Sequence, residues 1–390
     1  MVIGELCGRD ARGNVLSVDH QLYADPKVYE AELEKIFHAG WVLVGLEVEI
    51  PNPGDYTTTW VADLPVIVCR DEGGRLRVLE NVCAHRGAMV IRGSGNRKVF
   101  TCIYHQWSYT LQGELKALPM EEGYHAERFS KSDYRLRAFP RVETFCGLIF
   151  AASDPEAPRL KEYLGAVGDE VSEILKGGAL ELLGMQRYTV GANWKLFVEN
   201  TIDTYHAPLL HRAIQTNRGG YNFVPGMGRS HKFPNGHNML KWALTGRAKE
   251  FDPRTDLPLT RCLSRTEGWN RSINLFPNTL VLNFEDVLSV RRLVPKGPDK
   301  VEMHAYVLAH KGEPEAVKAN RAWVMASQLG IAGVASLDDK IAMELVQQGA
   351  AGRLKKTILL RGDIDADVGD LTEEQTLRGF WEHWAGVMEK

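Results

Sequence analysis

Two short stretches decide how this chain is read: C-A-H-R-G at 83–87 and C-I-Y-H-Q-W at 102–107. Each supplies one Cys and one His, whereas the common zinc arrangement pairs Cys with Cys and His with His in their own turns. One thiolate and one imidazole from each of two loops is the donor set of a Rieske [2Fe–2S] cluster, with two thiolates on one iron and two imidazoles on the other. Cys83, His85, Cys102 and His105 are therefore the candidate cluster ligands. Imidazole ligation raises the reduction potential above that of all-thiolate clusters, so such a site accepts electrons from a ferredoxin-like donor. Gly87, Gly93 and Gly95 permit tight loops around it, and Trp107 is placed to keep water away.

Outward from these loops the chain is rich in short β-forming runs. W-V-L-V-G-L (41–46), Y-T-T-T-W (56–60), L-P-V-I-V-C (64–69) and L-R-V-L-E-N-V (76–82) are punctuated by Pro51, Pro53-Gly54 and Gly73-Gly74. That spacing predicts a small antiparallel β domain over 41–155, closing with a strand at 146–152. Before it, in an N-terminal segment over 1–40, Asp25 and Pro26 open a short amphipathic helix at 26–37.

A second motif, N-W-K-L-F-V-E-N-T-I-D-T-Y-H-A-P-L-L-H, occupies 193–211. As a helix it would place Asn200, Asp203 and His206 on one polar face, with Trp194, Leu196, Phe197, Val198 and Ile202 buried. Buried polar groups need partners, and two histidines with a nearby carboxylate find one in a metal ion. His211 lies too far round a regular helix to join His206, so Pro208 is expected to kink or end the helix there and let it swing back. Asp203, one turn before His206, can hold that ring's second nitrogen. The third ligand is sought in S-L-D-D-K-I-A-M-E (336–344), at Asp338 or Asp339, although acidic residues in a first helical turn also serve simply to complement the helix dipole.

Around these motifs the region 156–390 is expected to form a second domain. Helices are predicted over 160–175, 313–329 and 336–348, and strands over 185–190, 272–276, 280–294 (broken near Asp286) and 301–309. Residues 217–269 suggest long loops, a mobile cover over a pocket, with His231 and His237 at the surface. His304, in an alternating strand, is expected to be exposed.

Composition sets the outer bounds. The chain has 390 residues, enough for two domains with real cores, and a formal net charge of -3, so no basic field suited to nucleic acid or an anionic membrane. No stretch is long and apolar enough to span a bilayer, and the first residues lack the apolar run of a signal peptide, which leads to the expectation of a cytoplasmic protein. Six cysteines in a chain of this length do not make a disulfide framework; Cys7, Cys69, Cys146 and Cys262 are expected to be small apolar or surface residues.

The order C-x-H-R-G, C-x-Y-H-x-W, N-W-K and E-N-x-x-D-x-x-H-x-x-x-x-H, running from about Trp41 to Trp384, resembles the large subunit of the Rieske non-haem iron ring-hydroxylating oxygenases. The resemblance implies an α+β fold in which a Rieske β domain is inserted near the start of a catalytic domain, itself an antiparallel sheet covered by helices. It implies a Rieske [2Fe–2S] cluster on Cys83, His85, Cys102 and His105, and a mononuclear Fe(II) on His206, His211 and Asp339, the second acidic residue of the D-D pair. It also implies that Asp203 meets a neighbouring subunit's His105 in a homotrimer or an α3β3 assembly, with Asn200 supporting the iron site. A ferredoxin and/or flavin reductase is the implied electron donor, and a small β subunit a further partner.

Within that family, E-I-P-N-P-G-D (49–55), E-N-V-C-A-H-R-G (80–87), S-V-R-R-L-V-P (289–295) and T-L-R-G-F-W (376–381) are similar to segments of enzymes acting on aromatic carboxylates, such as salicylate 5-hydroxylases and terephthalate and anthranilate dioxygenases. Such a substrate needs a fixed cation, and Arg291 and Arg378 are the expected anchors, with Arg292 the neighbouring alternative. Two other readings stand beside hydroxylation of an aromatic acid. One is monohydroxylation or oxidative demethylation at the same metals; the other is an electron carrier whose second domain only binds partners.

Overall fold

The computed structural model describes residues 6–125, 127–212, 226–243, 262–265, 268–352 and 356–390. Met1–Ile36 and Lys161–Lys390 make one unit, and Phe37–Leu160, inserted between them in the sequence, makes the other.

The inserted unit is built on antiparallel sheets. Asp55–Val61, Leu64–Arg70 and Leu76–Glu80 form a meander with Ser94–Asn96 added at one edge, and Val42–Leu46 pairs with Leu148–Ala152, which pairs with Arg141–Phe145. Two of its hairpins turn on two residues, Ala62-Asp63 and Cys146-Gly147, with φ of 50° at both Ala62 and Cys146. Such left-handed turns match the twist of the strands they join. Cys146 thus belongs to a turn, and the strand expected over 146–152 starts at Leu148. Ile67, Leu79, Phe100, Tyr109 and Leu136 pack one core together with Cys83 and Cys102.

The larger unit is an eight-stranded antiparallel sheet in the order Leu180–Val190, Lys300–His310, Val287–Gly297, Thr279–Phe284, Trp269–Leu275, Asn238–Ala243, Gly228–Lys232, Val368–Asp370. The break expected near Asp286 is a turn at Glu285-Asp286, with Phe284 paired to Val287. Helices Trp194–Ile202 and Gln375–Met388 pack against the sheet. No helix of the described residues is long and apolar enough to cross a membrane.

Three expectations are corrected here. Residues 228–243 are largely strand, not loop: Gly228–Lys232 and Asn238–Ala243 pair with each other as a hairpin, and Val368–Asp370 and Trp269–Leu275, farther off in sequence, pair with its outer edges; the rest of the supposed cover lies mostly outside the described residues. His237 is fully buried: its Nδ1 accepts the Phe276 N–H at 3.1 Å and its Nε2 donates to the Tyr163 carbonyl at 3.0 Å, while burial pulls its pKa down to about 4. His304 is buried as well, its pKa pulled down to about 3 by burial and by the Arg292 charge beside it. Alternation tells which residues share a sheet face, but not whether that face is covered.

N-W-K has a physical explanation. Asn193 Oδ1 caps the helix by accepting the Lys195 N–H at 3.0 Å, and its Nδ2 donates to the Pro298 carbonyl at 2.6 Å. Glu32, at the end of helix Pro26–Glu32, accepts Lys195 Nζ at 2.6 Å and the indole N–H groups of Trp194 and Trp384, each at 2.8 Å. Lys195 and Glu32 are both wholly buried, and burial lowers the Lys195 pKa although Glu32 opposes it. Removing one partner of such a pair strands a buried charge and costs about 3–5 kcal/mol. Glu32→Gln is therefore expected to lower the unfolding free energy by about that amount in urea titration, and Lys195→Met added to it should recover part of the loss. A double variant no more stable than Glu32→Gln alone would mean that the stranded ammonium is not the cause.

Candidate functional site

The ligand-bearing stretch is not one kinked helix. Helix Trp194–Ile202 stops at Asp203, which is extended (φ -106°, ψ 124°), and a separate short helix Ala207–Leu210 follows, with His206 at its N-cap and His211 at its C-cap. Pro208 sits in the first turn of this second helix, where its missing N–H is no loss. It starts a helix instead of bending one, and the break at Asp203 is what brings His211 back beside His206.

His206 Nε2 and His211 Nε2 lie 3.4 and 3.3 Å from Asp339 Oδ1, and the three ligand atoms lie within 4.8 Å of one another. Asp339 comes from helix Val334–Gly349. The other nitrogen of each ring faces a second carboxylate: His206 Nδ1 is 3.4 Å from Asp203 Oδ2, and His211 Nδ1 is 3.4 Å from Asp338 Oδ2. Asp338, entertained as a ligand, is instead placed to orient one. Asn200 Nδ2 donates to Asp339 Oδ1 at 3.1 Å. Burial opposes charge on His206, but Asp203 and Asp339 outweigh it and raise its pKa to about 9; burial likewise opposes charge on Asp339, yet the two histidines hold it well below the usual carboxylate range. Two imidazoles and one carboxylate on one side of a cavity suit a divalent iron with open positions, and the outer carboxylates fix the rings for it.

That cavity, of about 120 Å³, is walled by apolar Leu240, Trp242, Leu282, Phe284 and Leu329. Its size approaches the ~150 Å³ of an apolar cavity that takes benzene. Arg291, from strand Val287–Gly297, also lines it and is buried; Nη2 donates to the Leu329 carbonyl at 3.1 Å, while Nε has no hydrogen-bond partner among the described residues. The next residue, Arg292, turns elsewhere, its Nη2 lying 2.8 Å from His304 Nδ1. Arg378 corrects an expectation. Wholly buried, it donates to the carbonyls of Leu359, Arg361 and Asp363 and so braces the chain before helix Gln375–Met388. The bend of carbonyls takes up both Nη groups, while Nε, like that of Arg291, has no partner among the described residues, and sequence does not distinguish such a bend from a carboxylate.

In the inserted unit the two Cys–His loops are copies of one turn. Gly87 N–H donates to Cys83 O and Gln106 N–H to Cys102 O, each at 2.9 Å, and the positive φ values of Gly87 (74°) and Gln106 (58°) close both loops. Both cysteines are buried, and the rings of His85 and His105 stand 4.5 Å apart. Trp107 is buried and stacks on His85 at 4.8 Å and 6°. His85 Nδ1 is buried with no hydrogen-bond partner among the described residues, a lone pair left for a metal, so paired thiols and paired imidazoles fit a [2Fe–2S] cluster. Tyr109 was not anticipated. Its hydroxyl lies 3.2 Å from Cys83 Sγ and accepts the Ala84 N–H at 3.1 Å; the signal in the sequence is its place two residues beyond Trp107, an alternation that buries both around Ser108.

Residues 179–390 match the family profile described as ring hydroxylating alpha subunit (catalytic domain), and residues 40–144 match the Rieske [2Fe-2S] domain. The chain is 31% identical to the anthranilate 1,2-dioxygenase large subunit of Burkholderia cepacia, over 95% of this chain and 93% of that one. It is 29% identical to the terephthalate 1,2-dioxygenase terminal oxygenase component subunit alpha 2 of a Comamonas species, over 93% and 92%. Among solved structures, naphthalene 1,2-dioxygenase from a Rhodococcus species, bound to indole, superposes with a TM-score of 0.82 at 28% identity, covering 95% of this chain and 94% of that one.

The donor sets predict metal contents that can be counted. Purified protein should hold about three irons for two acid-labile sulfides per chain. Asp339→Ala should lose one iron in three while leaving the visible spectrum of the cluster intact; full iron retention would remove Asp339 from the ligand set.

Proposed function

Because this chain belongs to the family of Rieske ring-hydroxylating oxygenase large subunits, we propose that it hydroxylates an aromatic ring bearing a carboxylate, a salicylate-, terephthalate- or anthranilate-like acid, and that Arg291 is the anchor for that group. The oxygenase class rests on the family itself, whose catalytic domain spans more than half of the chain; that match overturns the reading as a mere electron carrier. The observation supporting an acid substrate is Arg291. A buried guanidinium with an idle Nε–H beside a cavity whose wall includes Leu240, Trp242, Leu282, Phe284 and Leu329 carries an unmet demand for an acceptor. A carboxylate answers it with two charge-assisted hydrogen bonds, through Nε and the second hydrogen of Nη2.

In this reading Cys83, His85, Cys102 and His105 hold the cluster, and His206, His211 and Asp339 hold the mononuclear iron. When bound, the iron supplies open coordination positions at which dioxygen is activated with electrons arriving through the cluster. The residues do the rest. Asp203 and Asp338 keep the imidazoles aimed, Asn200 steadies Asp339, and Leu282, Phe284 and Trp242 hold a flat ring and exclude water. Electrons come from a ferredoxin or a flavin reductase, and the working assembly is a homotrimer or α3β3 in which Asp203 also meets a neighbouring chain's His105.

Two substitutions test this. Losing a hydrogen bond to a charged group is worth about 1.5–3 kcal/mol, so Arg291→Leu should raise KM roughly ten- to a hundredfold for an aromatic acid and little for its amide. Equal effects on both would sink the anchor. Asp203→Asn should keep the cluster's spectrum yet abolish product, and an active variant would end the bridging role. Single turnovers under oxygen-18 with salicylate, anthranilate, terephthalate and a neutral arene, read by product mass, should give label from an acid and count the atoms inserted.

A further inference from the structure

A second cavity, of about 290 Å³, also touches the ligand-bearing stretch, and Asp203 and His206 border both spaces. Glu199, one turn before Asp203, lines it together with Glu374 and apolar residues that include Leu196 and Met343. The Glu199 carboxyl is held asymmetrically. Its Oε1 accepts the Tyr23 O–H at 2.8 Å and the Trp381 Nε1–H at 2.9 Å, whereas Oε2 is neither hydrogen-bonded nor sealed off among the described residues. This is the geometry of a carboxylic acid whose carbonyl oxygen is fixed and whose O–H is free to point into a cavity. Asp203, by contrast, has both oxygens engaged, one on the Tyr205 N–H and one on His206 Nδ1.

The charged and titratable groups around Glu199 are Tyr23 from the N-terminal segment, Lys195 and Asp203 on its own stretch, and His206 and Glu374 on the cavity wall. Burial raises its pKa to about 7, although Tyr23, Trp381 and Lys195 oppose the rise; the Asp203 charge adds to it. A carboxyl balanced near neutrality can both give and regain a proton.

We propose that Glu199 is the proton store of the catalytic centre, releasing from Oε2, into the cavity beside His206, the protons that dioxygen reduction consumes. Ring hydroxylation by one dioxygen takes up two electrons and two protons, whether both oxygen atoms enter the ring or one leaves as water. Dioxygen is the oxidant, and the electrons are those that a reduced ferredoxin or flavoprotein passes to the Rieske unit. For each proton, the Oε2–H bond breaks, the proton moves over cavity water to the oxygen being reduced, and the carboxylate is reprotonated from bulk solvent through that water, so that solvent supplies both protons consumed. A space of this size, with Glu199, Asn200, Asp203, His206 and Glu374 on an otherwise largely apolar wall, offers such water polar partners. The proposal depends on the family's oxygen chemistry and not on which ring is bound, so failure of Arg291 as an anchor leaves it standing.

The test combines infrared difference spectroscopy with kinetics across neutral pH on the holoenzyme. Wild-type protein should show a carboxylic-acid C=O band that disappears with a midpoint near neutrality, and Glu199→Gln should lack it. The glutamine's amide oxygen still accepts from Tyr23 and Trp381, so iron content and cluster spectrum should not change, while single-turnover product formation falls roughly 10- to 100-fold, the low end of general-acid effects, with a larger solvent deuterium effect. The acid form is the working one, so rate persists below the pKa and is lost as pH rises through it. Tyr23→Phe removes a donor that stabilises the anion, and should move both the band's midpoint and the alkaline limb upward. A Glu199→Gln enzyme with wild-type rate and isotope effect, no C=O band titrating near neutrality, or an unmoved alkaline limb in Tyr23→Phe would overturn the proposal.

Discussion

One buried carboxylate ties the larger unit together. Glu32 takes the ammonium of Lys195 and two indole N–H groups on its two oxygens, so three segments remote in sequence meet at one point: the N-terminal helix, the ligand helix and the C-terminal helix. Desolvating two charges is expensive, and the arrangement is tolerable because the charges are paired and both carboxylate oxygens accept hydrogen bonds. Its contribution is therefore specificity more than net stability. A ligand helix slipped by a residue would leave both charges unsatisfied, and the register of Asn200, Asp203 and the histidines beyond them is fixed by that penalty.

From that anchor the metal-binding geometry follows by interruption. A continuous helix would have spread His206 and His211 over different faces; ending it at Ile202 and beginning again at Ala207 lets both rings turn to Asp339. The Asp203 backbone, freed from the helix, gives its carboxylate two tasks, on the Tyr205 N–H and on His206. Each imidazole is thus held between one carboxylate that orients it and another that shares its face.

What the sequence revealed was mostly local or periodic. The two Cys–His loops were legible because each is a complete turn within six residues, and the larger sheet's central strands because their apolar runs are long. Burial by distant elements was not. His237 and His304 carry no local mark that a far part of the chain will cover them, and the strands at Gly228–Lys232 and Asn238–Ala243 were hidden by the glycines and proline around them. Pro208 reads in the sequence as a helix breaker but sits at a helix start, since the same ring that breaks a helix interior opens a helix start. Arg291 and Arg378 are equivalent as bare cations in the sequence, and only their surroundings separate them: the cavity beside the two histidines and Asp339 for one, three carbonyls for the other.

The two donor sets differ in how much chain each must gather. Cys83 and Cys102 are 19 positions apart (102 − 83), whereas His211 and Asp339 are 128 apart (339 − 211) with most of the sheet between them. By loop-closure entropy the longer span costs about 1.7 kcal/mol more to bring together, and it cannot close until the intervening strands have paired. During synthesis the inserted unit is also complete well before Asp339 emerges. The four residues of the first donor set can thus be gathered on a nascent chain before the second set has its carboxylate.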